Sequence, residues 1–160
     1  MPAGSEQPGA AGLPALPVTW RPLGPRIAGI AGGGSLFVIT ALLWFVGFDQ
    51  ETRDAVTWLQ RGTVIAMYLL GFACLYALAR CRAEAREEGL VVVNGYRRRV
   101  YAWAEIVAVR LNPGAPWAVL DLADGTTASV MGIQGSDGAR ARQAVRQLRL
   151  LVDRADPPRH

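Results

Sequence analysis

Lysine is missing from this sequence: all 17 basic residues among its 160 are arginine. Schiff-base chemistry, lysine nucleophiles and the phosphate-cradling P-loop all need a lysine and are excluded with it. Histidine is nearly missing as well. The one residue, His160, ends the chain and is badly placed to hold a metal or relay a proton. Two cysteines, Cys74 and Cys81, are too few for a disulfide framework or a thiolate metal site. Charge is scarce, at 19% of residues against 51% hydrophobic, below the usual quarter for a soluble domain. It vanishes from residues 27–48 and 62–79. The averages therefore blend an apolar part with a polar one.

The first charge-free run is 22 residues and the second 18. As helices they measure roughly 33 Å and 27 Å, enough to cross a hydrocarbon core of about 30 Å. They predict a transmembrane hairpin over residues 27–86. Before it, residues 1–26 are rich in Pro, Gly and Ala with few charges, which predicts a flexible tail. That segment lacks the basic start of a signal peptide. Arg21 and Arg26 precede the first run and Arg80, Arg82 and Arg86 follow the second, against Arg53 and Arg61 between them. By the positive-inside rule this predicts a multi-pass protein of the inner (plasma) membrane with both termini cytoplasmic. Trp44, Phe45, Phe48 and Trp58 read as an aromatic belt at the outer interface.

Helix one opens with small residues, including Gly29 and Gly33 at a spacing that lets two backbones approach. The expected partner is helix two of the same hairpin, through Gly71, Ala73 and Ala77, with a homo-oligomer seam as the alternative. No charge lies inside either run, so there is no sign of an ion path or proton relay.

From Cys81 the pattern changes. Residues 82–88 (R-A-E-A-R-E-E) favour a helix and predict a continuation of helix two, broken at Gly89. Five strands follow. Residues 90–93 and 96–101 flank the hairpin signal Asn94-Gly95, and 107–111 follows a turn at Trp103. Residues 117–122 and 126–131 flank a second such signal, Asp124-Gly125. Ser136 then caps a helix with Asp137 in its first turn. Ala141, Ala144, Val145, Leu148, Leu151 and Val152 share one face of it. Strands in hairpins followed by one amphipathic helix give an α+β domain over residues 87–153, with a flexible end at 154–160.

The run G-L-V-V-V-N-G-Y-R-R-R-V-Y-A-W-A-E-I over residues 89–106, and D-L-A-D-G-T-T over 121–127 ahead of a helix, resemble the bacterial pleckstrin-homology (PH)-like domain. The order of elements is most similar to the short actinobacterial low-molecular-weight antigen-type PH domain proteins, in which two membrane helices precede the domain. The resemblance implies a bent antiparallel sheet closed by the helix and built of seven strands. Five are legible, so either the barrel is curtailed or short strands lie between Leu111 and Trp117. PH domains that hold phosphoinositides carry a basic first strand and an R-x-R pair on the second. Arg97 and Arg99 match the pair, but the first strand has no basic residue and follows Glu87 and Glu88.

No nucleophile–base pair is present: Ser35 and Ser129 have no histidine, and Asp121 and Asp124 belong to a turn. The expectation is a non-catalytic module without cofactor or metal, bound to the bilayer and to another membrane or cytoplasmic protein, and not to nucleic acid. Candidate contacts to anionic lipid headgroups are Arg80, Arg82, Arg97 and Arg99, and candidate helix-packing residues are Gly29, Gly33, Ala73 and Ala77. The expected partner surface is an exposed sheet edge or the groove between the last strand and the helix 138–152. A structural or assembly subunit working through its transmembrane helices is the alternative.

Overall fold

The computed structural model describes residues 14–155; the expectations for residues 1–13 and 156–160, His160 included, lie outside the described residues. Among the described residues, seven strands form two antiparallel sheets. β1 (Val18–Trp20), β2 (Arg82–Arg86), β3 (Gly89–Asn94) and β4 (Arg97–Ala102) lie side by side in that order. β5 (Ile106–Arg110), β6 (Trp117–Leu122) and β7 (Thr127–Gln134) form the second sheet. The two strands beyond the expected five are β1 and β2, so none lies between Leu111 and Trp117 and the PH-like set is complete.

Both additions correct the sequence reading. Residues 82–88 do not continue the helix: the backbone turns extended at Cys81 and enters β2. Ala83 and Ala85 alternate with Arg82, Glu84 and Arg86, a period of two that places both alanines fully in the core. Helix propensity of Ala, Glu and Arg gives way to tertiary burial here. Residues 18–20, expected in the flexible tail, are paired strand: Val18 stands opposite Ala85 and Trp20 opposite Ala83. The helical hairpin is therefore inserted between two neighbouring strands of one sheet.

The hairpin consists of α1 (Gly24–Leu42), continued by one wide π turn to Gly47, the short α2 (Gln50–Ala55) and α3 (Trp58–Arg80). Its two long helices, Gly24–Gly47 and Trp58–Arg80, are long and apolar enough to cross a membrane, and no residue of either is fully buried within the chain. Thr57 and Gln60 form a reciprocal capping box at the start of α3. In the connection, Arg53 donates to the Trp44 and Phe45 carbonyls while Arg61 donates to those of Arg53 and Val56. Arg61 also lies over the Trp44 ring, and Trp44 meets Phe48 edge to face.

α4 (Ala139–Ala155) closes the sandwich, with Ala141, Ala144, Val145, Leu148, Leu151 and Val152 all buried as the spacing predicts. They pack with Leu90, Leu120, Val130 and Ile133 from the two sheets, each large side chain contributing about 1.5–3 kcal/mol over exposure. Ser136 does not cap this helix. It sits in a 3-10 turn with Gly135 and Asp137, ended by Gly138 at φ 58°. The turn after β3 is also one residue later than expected, on Gly95 and Tyr96. Only Gly95 has positive φ, the pattern of a II′ turn instead of I′. Asn94 is thereby left in the strand, where its amide donates to the Ser129 carbonyl and accepts from the Met131 N–H of β7. The link from β6 to β7 is a wider loop, its Asp124 carboxylate accepting from the Thr126 N–H and hydroxyl.

Candidate functional site

The helices and the sandwich meet where α3 ends. Ala73, Tyr76, Ala77 and Arg80 recur at i, i+3, i+4 and i+7 and so share one helix face. Against it lies the β3–β4 turn. The Tyr96 hydroxyl donates to the Ala73 carbonyl at 2.9 Å, and its ring lies 6.4 Å from that of Tyr76. The Arg80 guanidinium sits over both rings, 5.7 Å from Tyr76 and 6.0 Å from Tyr96, an attraction worth about 0.5–1 kcal/mol at exposed sites. Beneath them the buried Cys81 sulfur accepts from the Gly95 N–H at 3.2 Å.

A second weld joins the other end of the hairpin. The backbone N–H groups of Leu23 and Gly24, at the start of α1, donate to the Asp137 carboxylate at 3.1 and 2.8 Å. Asp137, expected in the first turn of α4, instead caps α1 from 113 residues away. Trp20 lies between β7 and α4, its indole donating to Gln147. It lines the groove between β7 and α4 with Ile133, Gln134, Arg140 and Ala144, and the open space there is about 80 Å³.

The four arginines singled out do not form one pocket. Arg80 is at the aromatic junction. Arg82 stands across Val93 from Arg98 on the outer face of the sheet. There the Glu84 carboxylate lies 2.8 Å from Arg86 and 3.9 Å from Arg82. The Arg86 hydrogen bond, with Arg82 and Arg98 nearby, holds Glu84 below the ordinary carboxylate range. Arg97 and Arg99 lie on the opposite side of the pleat, the side that Tyr101 buries. Arg98, which stands apart from that pair in an alternating strand, is thus the residue that joins Arg82.

Gly29 and Gly33 face α3: a Cβ at either would fall within 2.7 and 2.9 Å of Leu75. Phe37 meets Tyr68 and Phe72 edge to face along the same contact, and the Thr40 and Tyr68 hydroxyls are hydrogen-bonded. Ala73 and Ala77, expected in that seam, are instead the residues beside the β3–β4 turn, Ala77 lying 3.5 Å from where a Gly95 Cβ would be. The groove left between α1 and α3 is lined by Gly33, Thr40, Tyr68 and Gly71 among others. Among the described residues no group of His, Cys, Asp or Glu is arranged to hold a metal.

Residues 80–151 match the family model of the bacterial PH domain. The chain is also 34% identical over 131 residues to uncharacterised proteins of Mycobacterium bovis and of Mycobacterium tuberculosis, covering 82% of this chain and 78% of theirs. That likeness reaches beyond the domain into the helical part. No solved structure matches. The family match begins at Arg80, so it leaves out β1, the strand contributed from before the hairpin.

Proposed function

We propose that this chain, which belongs to the bacterial PH domain family, is a non-catalytic binding module anchored in the plasma membrane by its helical hairpin, with the domain and both hairpin ends in the cytoplasm. One observation carries the reading. β1 and β2 are hydrogen-bonded neighbours, so a hairpin that leaves after one and returns before the other has both ends on one side of the bilayer. Charge supports the choice of side: Arg21, Arg26, Arg80, Arg82 and Arg86 flank the domain ends. Arg53 and Arg61, on the far side, are folded onto backbone carbonyls of the connection.

The test is cysteine labelling in intact cells, in a background with Cys74 and Cys81 replaced by serine. Cysteine at Gln50 reacts with a membrane-impermeant maleimide, whereas cysteine at Arg110 reacts only after permeabilisation. The opposite pattern inverts the orientation, and equal reaction of both sinks the anchored reading.

Contact with anionic headgroups is a second reading, favoured by the depth of the β3–β4 turn. Tyr96 reaches the Ala73 carbonyl, seven residues or roughly 10 Å back from Arg80 along α3. Arg97, next in sequence, then sits at headgroup level. There each arginine contributes about 1 kcal/mol of attraction to an anionic surface. Full chain in phosphatidylglycerol-containing nanodiscs should melt higher than in pure phosphatidylcholine, and the Arg80→Ala/Arg97→Ala variant should lose that difference. Assembly through Gly29 and Gly33 finds less support, because Leu75 of the same hairpin already occupies them.

A further inference from the structure

We propose that the free edge of β4 receives an extended, acidic segment of another protein as an added antiparallel strand. This rests on the reading of the chain as an anchored binding module and names the partner's chemistry. β4 ends its sheet, and among the described residues no strand pairs with its outer edge. The Ala102 N–H points outward, because it donates to the Glu105 carboxylate at 2.9 Å. Main-chain groups of an antiparallel strand alternate between the two sides. The N–H and C=O groups of Arg98 and Val100 therefore also face outward, while those of Arg97, Arg99 and Tyr101 pair with β3. Two donors and two acceptors are left at the spacing that a strand of about five residues needs.

Beside this edge runs an open cleft of about 440 Å³, lined by Arg99, Tyr101, Glu105, Leu122, Asp124 and Thr126. It would take the inward side chains of an added strand, and the exposed Val100 would meet an outward one. Charge selects the occupant and its direction. Arg97, Arg98 and Arg99 are all exposed, and none of them is in an ion pair among the described residues. They crowd the turn end of the strand. Glu105 and Asp124 lie at the other end, each already hydrogen-bonded within the chain. A segment running antiparallel to β4 places its C-terminal half beside the arginines, so that half is acidic. A second copy of β4 does not supply that charge: in two-fold pairing the half beside the arginines is residues 100–102, Val-Tyr-Ala, which holds no carboxylate.

The experiment uses the full chain in neutral phosphatidylcholine nanodiscs, where the arginines have no anionic lipid to bind. The probe is a labelled nonapeptide alternating valine with threonine and ending in two glutamates. Saturable binding is expected. Val100→Pro, which removes an outward N–H, should weaken it roughly tenfold or more, and N-methylation of the peptide's central amides should do the same without touching the protein's fold. Arg97→Glu/Arg99→Glu should reverse the preference toward a peptide ending in two arginines. Absence of binding to chain that has entered the nanodiscs overturns the inference. So does binding indifferent to N-methylation, or self-association that Val100→Pro abolishes. Failure of the chain to enter nanodiscs at all would instead overturn the anchored reading beneath it.

Discussion

A methyl group on Gly132 would fall 2.7 Å from the Arg82 Cα, against main chain that cannot step aside. β7 crosses β2 at this point, and the two sheets touch backbone to backbone where the corner of the sandwich closes. Gly132→Ala should therefore destabilise the full chain by about 1–3 kcal/mol, as overpacking does in a rigid core, read as a lower melting temperature in detergent. Gly114, whose Cβ would meet nothing, is not a fair control because its φ is 80°; Gly62→Ala, in open helix, is one and should be near neutral. From the sequence, Gly132 reads only as the end of a strand. The crossing that makes it necessary joins residues fifty positions apart, and no local pattern reports that.

Among the elements, β2 shows both what the sequence discloses and what it hides. The amphipathic face of α4 is legible because its apolar residues repeat at helical spacing, and all six are buried. β3 to β7 are legible from β-branched runs and glycine turns. β2 is built of alanine, glutamate and arginine, and its period of two is visible only if alanine is counted as core. β1 is three residues long and has no pattern at all; it exists because β2 offers it an edge. The candidate arginines were legible as a cluster in sequence, but their division between two sides of the pleat depends on register. The charged face of β2 makes its own prediction. Glu84 is held below its ordinary value of 4.5, chiefly by Arg86, and Asp124 below 3.8 by Thr126. A depressed carboxylate contributes stability that is fully present above its unfolded value and is lost as pH falls toward the folded one. Melting temperature should thus fall as pH drops below about 4.5, and Glu84→Gln should be less stable at pH 7 with a flatter acid limb. An unchanged limb would show that the Glu84–Arg86 contact contributes nothing in solution.

At the scale of the molecule, the hairpin and the sandwich interlock, because a strand from either side of the hairpin completes one sheet. A fragment beginning after α3 would lack β1 and leave an edge of β2 unpaired. Three attachments hold the two parts in one orientation: the β1–β2 pairing, the Asp137 cap on α1, and the Tyr96–Arg80 contact on α3. The last two grip opposite ends of the hairpin base, so each limits rocking that the other alone would permit. Asp137→Ala should cost about 1 kcal/mol, as loss of a helix cap does, and Tyr96→Phe about 0.5–1.5 kcal/mol for one hydrogen bond. The informative readout is a distance. Spin labels at the exposed positions Met67 on α3 and Arg146 on α4, with Cys74 and Cys81 replaced by serine, should give a narrow distribution in nanodiscs. Either single variant should broaden it slightly, and the double variant by more than the two together, since only then does the domain pivot on the β1–β2 connection. Simple additivity would mean that the two contacts act on separate motions. A distribution already broad in the unaltered chain would mean that neither fixes the domain, and that the β3–β4 turn does not rest at a set depth beside α3.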